Sequence, residues 1–216
     1  RVMSRYVSGM MIRAYKHSTI EEFARNSSVP VINGLSDIEH PCQILADIMT
    51  VREHFGSIEG LKVTWVGDGN NVCNSLVLAS SRAGFEITVA SPDKYRLAES
   101  VVKRAVAEGG TVTLLKDPSE AVKDAHVVVT DTWISMGEES ERDARIRAFK
   151  GFTVDTGLMK KADPDAIFLH CLPAHRGREV TDEVIEGPQS VVFDEAENRL
   201  HAQKAVLVKM IGREIG

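Results

Sequence analysis

From Leu61 onward, short β-rich runs alternate with helical patterns: "LKVTWVG", "NSLVLASSRAG", "EITVAS", "RLAESVVKRAVAEGG", "TVTLL", "PSEAVKDA" and "HVVVTDT". That alternation predicts βαβ units on a parallel sheet. The strand runs lack polar alternation, as expected where helices cover both faces. Gly84 and Gly109 follow their helical runs as stops, and Pro118 sits early in a helix that Ala125 closes. A later apolar run, Ile167 to His170, reads as another buried strand. It runs straight into Cys171, Leu172 and Pro173, and since proline cannot continue a ladder, the chain leaves the sheet where a thiol, His175 and Arg176 arrive.

The first 57 residues read as a separate, incomplete unit, with "MMIRAY" and "VPVIN" as strands and "STIEEFARN" as the helix between them. Ser18 and Glu21 have capping-box spacing. In "HPCQILADIMTVREHFG", Pro41 suits a first helical turn, Ile44, Leu45, Ile48 and Val51 form one apolar face, and Gly56 ends the helix. The last element, near "EAENRLHAQKAVLVKMIG", is an amphipathic helix. Expected boundaries are therefore 1–57, 58–195 and 196–216, the last segment returning to the first unit.

Twenty-six basic and 31 acidic residues give a net charge of −5 without long blocks of one sign, which disfavours nucleic acid or an anionic membrane as partner. Three cysteines, Cys42, Cys73 and Cys171, have no C-x-x-C spacing, so neither a disulfide framework nor a zinc cage is suggested. No apolar run approaches the ~18 residues of a membrane span. The chain reads as soluble and intracellular.

"VGDGNNV" follows a strand and opens a helix, yet Val72 stands where a dinucleotide fingerprint wants its third glycine. The next strand ends in Ser91, where an NAD site wants an acid. Asn70 and Asn71 at this turn are either turn formers or amide ligands for a small polar molecule. "HPCQ" puts His40 at a helix start and Gln43 on the same side of the first turn, as a cap or as a donor to a developing oxyanion beside an amide reader. Arg13 ends a strand, where a guanidinium is a plausible phosphate or carbonyl ligand or simply an exposed arginine. In "DTWISMG", Asp131 falls at a strand's carboxyl end, to pair with an ammonium group or to cap the next turn; Ser135, Met136 and Gly137 follow as a loop. Cys171 occupies the matching end of a later strand, so several strand ends converge on one rim.

In order along the chain, "HPCQILAD", "VGDGNN", "DTWISMGEE", "HCLPAHRG" and "EAENRLHAQKA" resemble the carbamoyltransferase family, and "SMG" with "HCLP" resembles its ornithine branch. The resemblance implies two α/β domains: a doubly wound parallel sheet that binds ornithine and a partial carbamoyl phosphate domain. It implies transfer of a carbamoyl group from carbamoyl phosphate to L-ornithine, in a cytoplasmic homotrimer (mitochondrial in a eukaryote), without metal or cofactor. Residue by residue, it assigns Arg13, His40, Gln43, Cys171, Leu172 and Arg199 to carbamoyl phosphate. Asn71, Asp131, Ser135 and Met136 go to ornithine, and Arg13, His40, Asp131 and Cys171 to the chemistry. The family's Ser-Thr-Arg-Thr-Arg phosphate-binding run does not occur in these 216 residues. The front of the carbamoyl phosphate domain is thus expected to be missing, and this chain alone to be inactive.

Overall fold

The computed structural model describes residues 1–135 and 137–212; Met136 lies outside the described residues. In the first unit, β1 (Met10–Arg13), α1 (His17–Asn26) and β2 (Val31–Leu35) form a βαβ unit whose strands pair in parallel. The chain then enters α2 (Pro41–Phe55), with Pro41 in the first turn, where its missing N–H costs nothing. Ser18 does not cap α1. The helix starts one residue earlier, after Lys16, and the His17 amide donates to Asp37 Oδ1 at 2.8 Å. A tertiary acceptor thus replaces the local one that the spacing suggested.

The second unit is a five-stranded, all-parallel sheet built from β3 (Lys62–Val66), β4 (Glu86–Ala90), β5 (Thr111–Leu115), β6 (Val127–Thr130) and β7 (Ile167–His170). Its strand order is β5-β4-β3-β6-β7. α3 (Asn71–Ala83), α4 (Glu99–Ala107) and the one-turn α5 (Pro118–Ala121) connect the first four strands. α5 is shorter than the composition suggests: it stops at Ala121, and Asp124 takes a φ of 55° that closes the turn before β6. α6 (Arg142–Ala148) and α7 (Thr156–Met159) lead to β7, and α8 (Asp182–Ile185) to the long α9 (Val192–Ile211). α9 begins three residues before the sequence pattern does, with Asp194 and Glu195 in its first turn, where acids suit the helix dipole.

Every residue of β6 and β7 is buried, which explains why those runs show no alternation. One core face gathers Trp65, Ile87, Val129 and Leu169 under α3 and α4; the other gathers Phe149, Phe152, Phe168 and Val180. α9 crosses back to pack along α2, so the chain's end rests on its first unit. Leu45 departs from the expected apolar face of α2: it is exposed, while Ile44 and Val51 are buried. Among the described residues no helix is long and apolar enough to cross a membrane.

Strand order reverses direction between β3 and β6, and in open α/β sheets ligands bind beyond the strand ends at that switch. The β3–α3 turn there is rigid. Trp65 Nε1–H donates to the Asp68 carbonyl at 2.9 Å, and Gly69 N–H donates to the Tyr95 carbonyl at 2.8 Å. A Cβ on Gly69 would run into the backbone of Arg96 and Leu97, 2.5 Å from the Arg96 carbonyl carbon. Gly69→Ala is therefore expected to cost about 1–3 kcal/mol, read as a lower midpoint in chemical denaturation with an unchanged slope.

Candidate functional site

A cleft of about 890 Å³ opens between the two units, over the carboxyl ends of β1, β3, β6 and β7. Arg13, His40, Asn71, Asp131, Ser135, Cys171, Leu172 and Arg199 all line it. Residues spread over almost the whole chain thus meet at one opening.

Asp131 is at its centre. Its carboxylate accepts from Asn70 Nδ2 at 2.7 Å, from the Thr132 amide at 2.7 Å and from the Cys171 thiol at 3.1 Å. Burial, then the charge of Asp131, pushes the Cys171 thiol well above its ordinary value. It is therefore a protonated donor at neutral pH and a poor nucleophile. Asn70 caps α3, its Oδ1 accepting from the Val72 and Cys73 amides. The neighbouring Asn71 instead donates to the Ser36 carbonyl at 2.7 Å, joining the second unit to the first.

His40 is buried at the start of α2, its amide donating to Ser75 Oγ at 2.8 Å. Burial, reinforced by Arg199 and Arg13, lowers its pKa to about 4, and its Nδ1 has no protein partner. A neutral imidazole flanked by two guanidinium groups suits an oxygen that gains negative charge. Arg199 reaches the cleft from α9, its Nη1 donating to Gln43 Oε1. Gln43 itself lies beneath the floor, and its amide nitrogen donates to Asp47 and Glu195. It supports Arg199 and does not face the opening.

The turn after β7 is held from behind. Leu172 takes a φ of 52°, a left-handed conformation that costs an L-residue about 1–2 kcal/mol. Its amide donates to His170 Nδ1 at 2.9 Å, so the ring hydrogen is on Nε2, 3.4 Å from Glu179 Oε1. Burial raises the Glu179 carboxyl, but hydrogen bonds from His170 and the His175 amide outweigh it and leave a lowered value. Arg176 pairs with Asp182 and Glu186 on the surface, away from the cleft. The ligand atoms of Asp131, His170 and Cys171 lie within 4.8 Å of one another, close enough for a cation. Those atoms are already engaged, however: the thiol donates to Asp131, and His170 Nδ1 accepts from Leu172.

Sequence reasoning passed over Asp68, Glu138 and Arg145. Buried Arg145 donates to Asp68 Oδ2 at 2.7 Å, to the Trp133 carbonyl at 3.0 Å and to Glu138, while its guanidinium stacks 4.5 Å from the centre of the Tyr95 ring. Burial pushes Asp68 up to about 6, with Arg145 opposing. Glu138 in turn accepts from the Ser135 amide at 2.9 Å, so one arginine fixes the loop after β6 to the turn after β3. In "ERDARIRAF" nothing distinguishes Arg145 from the solvated cations around it.

The carbamoyl-P binding domain model of the aspartate/ornithine carbamoyltransferases matches residues 1–53, and their Asp/Orn binding domain model matches residues 59–210. An ornithine carbamoyltransferase of Methanoculleus marisnigri is 62% identical over 98% of this chain and 68% of its own length. That of Methanocorpusculum labreanum is 58% identical over 98% of this chain and 69% of its own. The solved ornithine carbamoyltransferase of Pyrococcus furiosus superposes with a TM-score of 0.94 at 54% identity, covering 98% of this chain and 69% of that one. The junction between the two matched models is the crossing from α2 into β3, and the cleft lies where the two units face each other. With both halves present in the family's order, the chain belongs to the aspartate/ornithine carbamoyltransferase family.

Proposed function

We propose that this cleft transfers the carbamoyl group of carbamoyl phosphate to the side-chain amine of L-ornithine, giving L-citrulline and phosphate. The observation that supports it is the pairing across one opening of a cationic wall, Arg13, His40 and Arg199, with an acid and a protonated thiol, Asp131 and Cys171. Phosphate and the carbamoyl oxygen belong to the first wall, and the amino acid to the second.

The amine nitrogen attacks the carbonyl carbon, and the oxygen becomes an oxyanion that His40 and Arg13 stabilise as donors. The intermediate collapses by breaking the bond to the phosphate oxygen, and the proton released from nitrogen leaves with phosphate. An alkylammonium has a pKa of about 10.4, so only the neutral minority reacts. Asp131 holds the α-ammonium end, and Asn71, Ser135 and Met136 complete the grip on the amino acid. The Cys171 thiol lies beside the reacting amine without forming a bond to carbon. Gln43 acts on the carbamoyl group through Arg199, whose guanidinium its carbonyl holds. The assembly we propose is a homotrimer acting in cytoplasmic arginine biosynthesis.

Carbamoyl phosphate carries nearly two negative charges, and Arg13 and Arg199 are the guanidinium groups assigned to it. The chain spans 68% and 69% of the length of the two archaeal relatives, so tests of turnover use it at the full family length, below called the complete enzyme. With 13C-labelled carbamoyl phosphate and L-ornithine, the label should arrive in the ureido carbon of citrulline with one phosphate released. Label lost as carbonate without ureido product would refute the reading.

Cys171→Ser in the complete enzyme should weaken ornithine use by about 10-fold and shift its pH dependence while leaving turnover. A carbamoyl thioester trapped in the parent, together with total loss in the variant, would refute the noncovalent role.

A further inference from the structure

Behind the cleft, Asp47 on α2 and Glu195 on α9 are 2% and 1% exposed. The Gln43 amide nitrogen donates to both, at 2.9 Å to Asp47 Oδ1 and 2.8 Å to Glu195 Oε1. That one nitrogen thus brings the two buried carboxyl groups together, and Asp47 Oδ2 has no hydrogen-bond partner. Neither carboxylate is a donor when ionised, so two buried acids held on one amide nitrogen repel each other, and the free oxygen stays unpartnered, unless one of them carries a proton.

The charges facing the pair agree. From α9, Arg199 approaches through the Gln43 carbonyl; from β7, the His170 amide donates to Glu195 Oε2 at 2.8 Å; just beyond it lies the Cys171 thiol. One indirectly bonded cation does not compensate two buried negative charges.

We propose that Asp47 and Glu195 share one proton and act as positioning residues, holding Gln43 so that its carbonyl sets Arg199 in the cleft, and tethering the strand end that carries Cys171 to α2 and α9. Burial is the main reason that Asp47 is pushed up to about 6 and Glu195 well above the usual carboxylate range. Losing the proton at high pH leaves two like charges facing each other across Gln43 and loosens its hold. The positioning role rests on the carbamoyl phosphate reading of the cleft; the shared proton does not.

Two measurements test this. In residues 1–216 at neutral pH, infrared spectroscopy should show the C=O stretch of a buried protonated carboxyl, and Asp47→Asn should abolish it, because its amide N–H, in the place of the unpartnered Oδ2, supplies the donor that the proton supplied. In the complete enzyme, Asp47→Ala should raise KM for carbamoyl phosphate by about 10-fold or more while KM for ornithine stays nearly constant. Asp47→Asn should restore most of that affinity and flatten the alkaline limb of the pH profile. No protonated-carboxyl band in the parent, or a band that survives Asp47→Asn, overturns the shared proton. An unchanged KM for carbamoyl phosphate in Asp47→Ala, or an Asp47→Asn variant as impaired as Asp47→Ala, overturns the positioning role. If Asp47→Ala does not fold, Asp47→Asn decides through its band and pH profile. A parent that makes no citrulline refutes the carbamoyl reading and the positioning role with it, while the infrared result still decides the proton.

Discussion

Replacing His40 with alanine in the complete enzyme is expected to lower kcat by about 100-fold or more, with much smaller changes in either KM. The reason is geometric and electrostatic. His40 is buried at the first turn of α2, its Nδ1 has no protein partner, and Arg13 and Arg199 share its side of the cleft. Its pKa of about 4 keeps the ring neutral through the physiological range, so it acts as a hydrogen-bond donor and not as an acid that discharges near neutrality. Its titration should therefore leave no acid limb near pH 6.5. Stability carries the same sign: the unfolded histidine takes up a proton more readily than the folded one. His40 thus costs nothing above about pH 6.5 and destabilises progressively as pH falls toward about 4. A kcat for His40→Ala within a few-fold of the parent would remove it from the oxyanion's surroundings.

Asp131→Ala should raise KM for L-ornithine by about 100-fold or more, the scale set by removing one member of a buried charge pair. Its effect on KM for carbamoyl phosphate should be slight. The carboxylate is buried and already held in place by Asn70, Thr132 and Cys171, so a ligand's ammonium group finds an oriented partner. Loss of Asp131 also releases the thiol. Asn70→Ala offers a milder comparison, because it keeps the charge and removes one of the three donors. Steady-state kinetics with each substrate varied in turn separates the two effects.

Local patterns made most of the scaffold legible. Runs such as "HVVVTDT" and "IFLH" announce fully buried parallel strands, and Pro41 marks the start of α2 to the residue. Strand ends then placed Asp131 and Cys171 on one rim, and the family's motifs added His40 and Arg199, all of which line the cleft. Tertiary partners decided what remained hidden. Ser18 lost its capping role to a loop aspartate nineteen positions away, Asp37, whose oxygen meets the His17 amide. Gln43 looked like a cleft residue because it shares a face with His40, yet its amide turns inward to two acids, one of them 152 residues distant. Arg145 was invisible because burial, and not residue type, sets it apart from Arg142 and Arg147 on the same helix.

The most direct measurement of the central claim is amine selectivity in the complete enzyme, with L-ornithine, L-aspartate and putrescine each offered alongside carbamoyl phosphate. Ornithine presents an α-ammonium group for Asp131 and a second amine for the carbamoyl carbon. Putrescine keeps both amines but lacks the α-carboxylate, so part of the grip on the amino-acid end is lost, and the side-chain carboxylate of aspartate would meet the negative charge of Asp131. Ornithine should be converted to citrulline far faster than either alternative is carbamoylated. Comparable rates with aspartate or putrescine would contradict the assignment of this cleft to ornithine.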